Sequence, residues 1–397
     1  MAPDDDPRFA RTEERLDPRA AALLAAEGLG DLFHDRQHAA CTLADRYALA
    51  CAVDVAHALG LPALLGVART PAEAVAAGGF VPAFARPLGW LCARLAHAGL
   101  LVRDGDAHRV AQALPVPPRA ALRAAGLAVD ASYAPAYDLL DEAAAVWPRV
   151  ARGETVAERA LFLRVRLWRA YFDNANAYYA LQNHVAARAA AARLRAAGGG
   201  PVVEVGAGLG SAAEALLVAL GDDAPALVRG YAATEPVPFF RRLLAERLAA
   251  PLAPLGLVVG DLDVGRPWAA QGVAPGSATL VWGVNVFHLA ADLDAALAEA
   301  VRVLRPGGWL VVGEGVRPRA VVPVDPELPF QLLASFGDVR LDPATRPTAG
   351  FLTAPHWEAA LRRAGLVDVA SYPDVARLHA VTPVFLGAAI CGRRPAA

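Results

Sequence analysis

The stretch Val202-Val-Glu-Val-Gly-Ala-Gly-Leu-Gly210 decides the fold of this chain. It has the pattern of a hydrophobic strand that ends in a Gly-x-Gly-x-Gly turn, and the helical run Ser211–Leu220 follows it. Gly206, Gly208 and Gly210 lack the Cβ atoms that would block positive φ angles and the close approach of a ligand. The pattern predicts a strand, turn and helix unit that brings main chain close to a nucleotide-like cofactor.

The spacing of this turn discriminates between cofactors. A dinucleotide site favours Gly-x-Gly-x-x-Gly, which seats a pyrophosphate on the helix N-terminus. Here Glu204 stands two positions before the first glycine of a Gly-x-Gly-x-Gly turn. A carboxylate at that position repels pyrophosphate but suits the cationic amino-acid part of S-adenosylmethionine. The turn therefore favours S-adenosylmethionine over NAD, and a turn that serves packing alone is the alternative.

Length and composition narrow the class of protein. The chain has 397 residues with 56% hydrophobic content, enough to fill two domain cores, and a formal net charge of -2, which argues against a broad polyanion-binding surface. Its four cysteines have no metal-ligand or disulfide spacing. The acidic start Met1–Arg8 lacks the apolar core of a signal peptide, and no apolar run reaches the ~20 residues of a membrane span. We expect a cytoplasmic protein without metal, nucleic-acid or membrane partners.

The first third of the chain predicts a helical module. Apolar residues recur at helical spacing from Thr42 to Leu59, Thr70-Pro-Ala-Glu73 offers a capping box, and Leu100–Val110 has the pattern of a hairpin with an Asp-Gly turn. Helices followed by a hairpin are the order of a winged helix. Charges between residues 41 and 112 nearly cancel, which disfavours phosphate contacts. We expect a winged-helix-like dimerisation domain at residues 1–115, and hence a homodimer.

A helical segment precedes the glycine turn. The pattern from Glu158 to Ala197 carries a band of aromatic and amide side chains placed to roof a pocket. We expect residues 116–197 to form a helical linker and substrate lid, in which Tyr178, Tyr179 and Asn183 contact the acceptor. Ordinary amphipathic packing is the alternative for each single residue.

Strands and helices alternate in residues 198–397, which predicts an α/β fold with a doubly wound parallel sheet. Two late strands suit a Rossmann-like seven-stranded sheet with a reversed last strand. The predicted strands lie near 201–206, 227–233, 255–260, 279–284, 309–314, 366–371 and 383–391, and the predicted helices near 211–220, 237–249, 291–304 and 355–364.

Ligands in open α/β sheets bind at the carboxyl ends of the strands. Glu235 ends the second strand, close to the ~20-residue spacing at which an acidic residue meets a ribose diol. At the end of the third strand, Asp261 suits the adenine amino group and Leu262 the ring face. A helix N-cap for Glu235 and a plain loop aspartate for Asp261 are the alternatives.

The fourth strand is followed by Asn285-Val-Phe-His288, and the fifth ends at Glu314. A neutral imidazole can remove a proton from a hydroxyl or an activated carbon, and a neighbouring carboxylate holds its tautomer and stabilises the cation that forms. We therefore predict His288 with Glu314 as a general base. The alternative is that His288 caps a helix or packs in the rim.

Taken in order, these motifs resemble the class I S-adenosylmethionine-dependent methyltransferases over residues 200–320, including Pro306-Gly-Gly before the fifth strand. The resemblance implies that the three glycines and Glu204 hold the methionyl part of the cofactor and Glu235 the ribose. It places Asp261 and Leu262 at the adenine, and Asn285 among the cofactor-binding residues.

Two subfamilies are similar to this chain. The N-terminal segment resembles the dimerisation domain of bacterial small-molecule O-methyltransferases, whose catalytic histidine precedes Asp-Trp, whereas Leu289-Ala290 follow His288 here. The core resembles polyketide-synthase C-methyltransferase domains, in which a histidine and a glutamate form the base. These resemblances imply methyl transfer to oxygen or an acidic carbon of a small natural-product-like acceptor in secondary metabolism, by a free-standing tailoring enzyme.

The excursion Pro323–Phe351 adds Phe330 and Phe336 as expected lid residues over an apolar acceptor, with core packing as the alternative. Two other functions fit the same motifs. One is an enzyme of this fold that binds the cofactor and catalyses a decarboxylation or pericyclic reaction. The other is a winged-helix regulator with a vestigial enzyme fold.

Overall fold

The computed structural model describes residue 6, residues 8–9 and residues 15–396 of the chain. Most of the acidic start, and with it the beginning of the predicted N-terminal domain, lies outside the described residues. The N-terminal elements are α1 (Pro18–Ala26), α2 (Asp35–Ala58), α3 (Leu61–Leu64), α4 (Pro71–Gly78), α5 (Ala85–His97), β1 (Leu101–Asp104), β2 (Ala107–Val110), α6 (Arg119–Val129) and α7 (Ala134–Ala151).

The N-terminal region is helical with one hairpin. Thr70 and Glu73 form the predicted capping box at α4, with Glu73 accepting a hydrogen bond from the Thr70 main chain at 2.8 Å. Strands β1 and β2 pair antiparallel across a turn in which Gly105 has a φ of 59°. The helices and the hairpin are as expected, and the winged-helix arrangement is not confirmed.

The helical pattern over residues 158–197 divides into three helices, α8 (Ala157–Phe162), α9 (Val165–Tyr171) and α10 (Ala177–Ala196). Amide side chains explain the break before α10. The Asn176 side chain donates to the Tyr171 carbonyl at 2.8 Å, and the Asn174 side chain donates to the Ser211 carbonyl at 2.7 Å. Asparagines that bond the main chain in this way compete with helix formation.

The remaining elements form the predicted doubly wound sheet. Its helices are α11 (Ser211–Leu220), α12 (Ala224–Leu227), α13 (Pro238–Leu252), α14 (Leu293–Val303), α15 (Ala334–Gly337), α16 (Ala354–Arg363) and α17 (Val375–His379). Its strands are β3 (Gly200–Val205), β4 (Val228–Thr234), β5 (Leu257–Gly260), β6 (Ala278–Val284), β7 (Leu304–Gly315), β8 (Val367–Tyr372) and β9 (Gly387–Arg393). The strand order is β5-β4-β3-β6-β7-β9-β8, and β9 runs antiparallel to both neighbours, which confirms the reversed last strand.

Alternation along the strands builds a core on each face of the sheet. Val202 and Trp282 pack with α10, α11 and α13 on one face. Val203 and Val281 pack with α14 and α16 on the other. Because both faces are covered, the strands are nearly continuous hydrophobic runs, as in other parallel sheets.

The excursion after β7 packs on the N-terminal helices rather than on the sheet. Leu328 and Phe336 belong to the same hydrophobic core as α2, α5 and α7. Helix α5 holds the excursion through Arg94, which pairs with Asp325 at 2.7 Å, and through Trp90, whose indole N–H donates to Glu327 at 2.8 Å. The excursion therefore links the N-terminal helices to the carboxyl edge of the sheet.

Candidate active site

A cavity of about 650 Å³ lies along the carboxyl ends of the parallel strands. Gly206 and Gly208 line it after β3, Glu235 after β4, Leu262 after β5 and His288 after β6. Residues from four strand ends are thus brought to one cavity, at the edge of the sheet where the sequence predicted a ligand site.

The glycine turn forms one end of this cavity. Gly206 and Gly208 have φ angles of 61° and 55°, in the region that favours glycine. A Cβ atom on Gly206 would lie 2.5 Å from Val286, and one on Gly210 would lie 2.9 Å from Leu248. No described atom lies within 4 Å of the position that a Cβ atom on Gly208 would occupy. Gly206 and Gly210 therefore serve close packing, and Gly208 leaves the main chain accessible to a ligand.

Glu235 supports the turn from the end of β4. Its two carboxylate oxygens accept main-chain hydrogen bonds from Gly208 at 3.0 Å and Val237 at 2.9 Å. Burial raises the pKa of this carboxyl, and the same two hydrogen bonds lower it. Each carboxylate oxygen has further acceptor capacity, which fits the hydroxyls of a ribose diol. The open space at Gly208 and this buried acceptor together fit a nucleoside cofactor.

The end of β5 matches the prediction in part. Leu262 is buried at the cavity wall, and Asp263 lines the wall beside it. The Asp261 side chain is 65% exposed and lies 3.5 Å from the Arg241 guanidinium, away from the described wall of the cavity. The adenine role of Asp261 stays a prediction, and Asp263 is the acidic residue that this edge presents to the cavity.

Glu204 lies behind the turn instead of at the cavity wall. Its carboxylate is buried and accepts a hydrogen bond from the Tyr231 hydroxyl at 2.5 Å. Burial raises its pKa to about 7, against the opposing effect of the Tyr231 hydrogen bond. Alternate side chains of a strand share a face, so Glu204 lies on the helix-covered face of Val202. Its predicted contact with the methionyl group stays a prediction.

His288 and Glu314 form a hydrogen-bonded pair, with 2.7 Å between Nδ1 and Oε2. The other oxygen of Glu314 accepts the main-chain N–H groups of Val286 at 3.1 Å and His288 at 3.3 Å, and the carboxylate is fully buried. A carboxylate accepts from Nδ1–H, which leaves the Nε2 lone pair of a neutral ring available. Because the ring lines the cavity, the pair can take a proton from a bound acceptor.

The surroundings of His288 fix its ring. Asn285, which also lines the cavity, has a φ of 56° and donates its main-chain N–H to Gly313 at 2.8 Å, so the chain turns sharply after β6. The rings of Phe336 and Phe351 meet the imidazole edge to face, with centroids 5.5 and 5.1 Å away. Aromatic contacts on two sides restrict the imidazole to the orientation that Glu314 requires.

Aromatic side chains form the opposite wall. Tyr178 and Tyr179 from α10 line the cavity with Phe330 and Phe336 from the excursion, where the sequence predicted acceptor contacts. Asn183 does not reach the described wall, because its amide is buried and donates to Asn174 at 2.9 Å. Its acceptor role stays a prediction, as does the roof expected from the pattern of residues 158–197.

Tyr179 lines the cavity from α10, where its ring packs against Tyr171 and Phe172 with centroids 5.5 and 5.2 Å away. Burial raises the pKa of its phenol above the ordinary value, at which a phenol is already protonated near neutral pH. Tyr179 can therefore donate a hydrogen bond into the cavity.

Sequence reasoning missed several residues of the wall. Helix α2 contributes five side chains from successive turns, and Phe351 and Phe385 add rings from the C-terminal half. The five residues of α2 are Gln37, His38, Cys41, Thr42 and Asp45. In the sequence they look like a solvated helix face, so nothing in the local pattern distinguishes them from surface residues.

No group of three or more His, Cys, Asp or Glu side chains in the described part of the chain could hold a metal ion. No helix among residues 15–396 is long and apolar enough to cross a membrane.

Comparison with known proteins agrees with this geometry. Residues 203–312 match the family model described as "Methyltransferase domain". The polyketide synthase ThaG of Burkholderia thailandensis is 36% identical over 172 residues, which cover 43% of this chain and 3% of that protein. Fumosorinone synthetase of Cordyceps fumosorosea is 32% identical over 165 residues, 41% of this chain and 4% of that protein. The matched part is thus a small fraction of these relatives.

Among solved structures, the CurJ carbon methyltransferase superposes with a TM-score of 0.76 at 20% identity, covering 96% of this chain and all of that one. The DszA carbon methyltransferase gives 0.75 at 23% identity, with 98% and 95% covered. These likenesses establish the fold over nearly the whole chain. Residues 203–312 therefore match a methyltransferase domain, and the chain has the fold of these carbon methyltransferases.

Proposed function

We propose that this protein transfers a methyl group from S-adenosylmethionine to an acidic carbon of a small natural-product-like acceptor. The observation that carries the proposal is the His288–Glu314 pair, which faces an aromatic cavity continuous with the glycine turn. The sequence left oxygen and carbon open as acceptor atoms. Similarity of fold to two carbon methyltransferases, and of sequence to polyketide synthases, supports carbon.

The cofactor fits the turn end of the cavity. Gly206 and Gly208 would hold the methionyl part against exposed main chain, Glu235 the ribose hydroxyls, and Leu262 the adenine ring. S-Adenosylmethionine, when bound, supplies a methyl group on a positively charged sulfur, which leaves as the neutral thioether S-adenosylhomocysteine. Hydrogen bonds from two hydroxyls to Glu235 are worth about 1.5–3 kcal/mol each before desolvation.

The chain's own chemistry is the removal of a proton. Nε2 of His288 takes a proton from the acidic C–H of the acceptor, the electron pair of that bond moves into an enolate, and Glu314 stabilises the imidazolium. The enolate carbon would accept the methyl group that bound S-adenosylmethionine supplies, and His288 returns its proton to solvent. Tyr179, a protonated phenol in the cavity wall, donates a hydrogen bond to the enolate oxygen.

The aromatic wall excludes water and selects the acceptor. Tyr171, Phe172, Phe330 and Phe336 give an apolar surface for an acyl or aryl chain. A water-poor site strengthens the hydrogen bonds that the enolate receives and protects it from reprotonation by bulk solvent. Residues 158–190, expected to roof the pocket, supply part of this wall, which supports the substrate-lid role proposed for residues 116–197.

The test separates proton removal from methyl transfer. The protein is incubated with 3-oxo esters bearing apolar chains in D₂O, first with S-adenosylhomocysteine and then with S-adenosylmethionine carrying a ¹³C methyl group. We expect enzyme-dependent deuterium exchange at the acidic carbon in both cases, and a ¹³C label bonded to that carbon in the second. His288→Ala is the matched control and should abolish both signals.

Other results would assign a different function. A ¹³C label on oxygen, without exchange at carbon, would establish O-methylation. Exchange or turnover with no mass increment of ~14 Da in the product would point to a non-methylating enzyme of this fold. If calorimetry detects no binding of S-adenosylhomocysteine, the cofactor assignment itself is wrong.

A further inference from the structure

Arg346 lies beneath the turn that carries His288. It is 1% exposed and belongs to the excursion after β7, where its main chain forms a bridge with Asp342. Its guanidinium donates hydrogen bonds to the main-chain carbonyls of His288 and Ala290. A distant segment of the chain thus holds the main chain on both sides of Leu289.

These carbonyls need donors because of the local structure. Residues Phe287–Leu289 form a single 3-10 turn, and the chain is extended again at Ala290. The last carbonyls of a short helical turn have no partner within the turn, and a cation at that end also interacts favourably with the dipole of the turn. Arg346 supplies the missing donors, so the position of His288 depends on it.

The charge of Arg346 calls for an explanation beyond packing. Its guanidinium reaches main-chain carbonyls, and its buried Nε atom has no hydrogen-bond partner among the described residues. Burial lowers its pKa to about 10, and the charges of Glu314 and Asp292 oppose that shift. Burying a guanidinium in this way is costly unless nearby anions compensate. Glu314 is the buried carboxylate closest in connection, because it accepts the main-chain N–H of His288 while Arg346 donates to the carbonyl of the same residue.

We infer that Arg346 is a positioning residue for His288: it fixes the turn that carries the imidazole and places a positive charge beside the His288–Glu314 pair. This inference rests on the proposed function, because it gives the pair its role as a base. Arg346 is not among the described residues that line the cavity, and it reaches the wall only through the main chain of His288. Its effect is to keep Nδ1 of the imidazole on Glu314.

The electrostatic effect has a definite sign. The charged groups bonded to His288 are Glu314 from β7, at the imidazole and the main-chain N–H, and Arg346 from the excursion, at the main-chain carbonyl. Removing the cation of Arg346 leaves Glu314 to favour the protonated ring. The acid limb of the pH–rate profile should then move to higher pH.

The experiment compares Arg346→Met, Arg346→Lys and Arg340→Met. Met removes the charge and both hydrogen bonds, and Lys keeps the charge with a different donor geometry. Arg340→Met is the matched control, because Arg340 is an exposed residue of the same excursion that pairs with the same loop. The measurements are kcat and KM against pH, the affinity for S-adenosylhomocysteine, the thermal midpoint, and the ¹⁵N signals of the His288 ring titrated in each variant.

For Arg346→Met we expect kcat to fall about 10²-fold, the loss typical of a small misplacement of a catalytic group, with affinity for S-adenosylhomocysteine nearly unchanged. The acid limb and the ¹⁵N titration should both move to higher pH. Arg346→Lys should restore the position of the titration but only part of kcat, and Arg340→Met should behave like the wild type.

Unchanged ¹⁵N titration in Arg346→Met, or equal displacement in Arg340→Met, would overturn the inference. If Arg346→Met does not fold, Arg346→Lys decides it, because a purely structural arginine predicts no separation of kcat from cofactor affinity. The ¹⁵N titration needs no turnover. A shifted titration in a protein that methylates no acceptor would therefore refute the proposed function while leaving the positioning role intact.

Discussion

The two ends of the cavity are built in different ways. The wall that we propose for the cofactor, here called the cofactor wall, comprises Gly206, Gly208, Glu235 and Leu262, from loops that directly follow adjacent parallel strands. The wall that we propose for the acceptor, here called the acceptor wall, comprises Tyr171, Tyr178, Tyr179, Phe330 and Phe336, from helices and an excursion far apart in the chain. The first presents main chain and carboxylate groups, and the second presents aromatic rings.

The two walls depend on different features of the fold. Main-chain groups of a strand end are fixed by the sheet, so the cofactor wall needs few special side chains. The acceptor wall exists only where α9, α10 and the excursion pack together, and its shape follows from side-chain volumes. Variants of the cofactor wall should therefore leave the acceptor wall largely intact, and the reverse should also hold.

The largest effect is expected for His288→Ala. Removing the base should lower kcat by about 10³-fold, within the 10²–10⁴-fold range of general base catalysis. The affinity for S-adenosylhomocysteine, measured by calorimetry, should change less than about threefold, because the cofactor wall is untouched. A parallel loss of cofactor affinity would show that the two ends are not separable.

Glu204→Gln tests the polar group behind the cofactor wall. A folded-state pKa raised to about 7 means that the folded protein favours the protonated carboxyl. This stabilisation is fully present below the unfolded pKa of ~4.3 and is lost as pH rises through 7. We expect wild-type unfolding free energy to fall by about 3 kcal/mol between those limits, and Glu204→Gln to flatten the decline in urea titrations.

The control for that prediction is Glu154→Gln, at an exposed position of the loop before α8. It should reproduce the pH dependence of the wild type. If the unfolding free energy of Glu204→Gln has the same slope against pH as that of the wild type, then the Glu204 carboxyl is ionised in the folded protein. An ionised carboxyl is what contact with the cationic amino-acid part of the cofactor requires.

Glu235→Ala tests the cofactor wall directly. It removes the acceptor of the ribose hydroxyls and the partner of the Gly208 main chain. We expect the affinity for S-adenosylhomocysteine to fall by about 2 kcal/mol, near thirtyfold. Deuterium exchange at the acceptor carbon should persist at saturating acceptor. Glu246→Ala, an exposed change on α13, should leave both quantities unchanged.

Tyr179→Phe has the smallest expected effect and tests the hydrogen bond that Tyr179 is proposed to donate to the enolate. Losing one hydrogen bond to the enolate should lower kcat by about tenfold, near 1.4 kcal/mol. Tyr178→Phe is the comparison, because Tyr178 lines the same cavity from the preceding position and packs on Tyr133, with ring centroids 5.6 Å apart. If both variants lower kcat equally, Tyr179 has no special position.

Sequence alone located the elements that follow a repeating pattern. Helix 211–220 is predicted with the observed bounds, and the seven-stranded sheet with its reversed strand follows from alternation and strand count, whereas the strand order is seen only in the structure. His288 and Glu314 were paired from their strand ends, since adjacent parallel strands end at one edge. The break of the 158–197 helical pattern was not predicted, because it depends on Asn174 bonding Ser211 in another element.

The sequence and the tertiary structure determine different parts of this site. The sequence predicted that Gly206, Gly208, Glu235, Leu262 and His288 meet at one edge, because residues that end neighbouring strands are brought together by the fixed geometry of a parallel sheet. Only the tertiary structure decided that Glu204 turns away from the cavity, that α2 lines it, and that Arg346 holds the His288 turn. Those contacts join residues distant in the chain, and long-range packing leaves no periodic trace in local sequence.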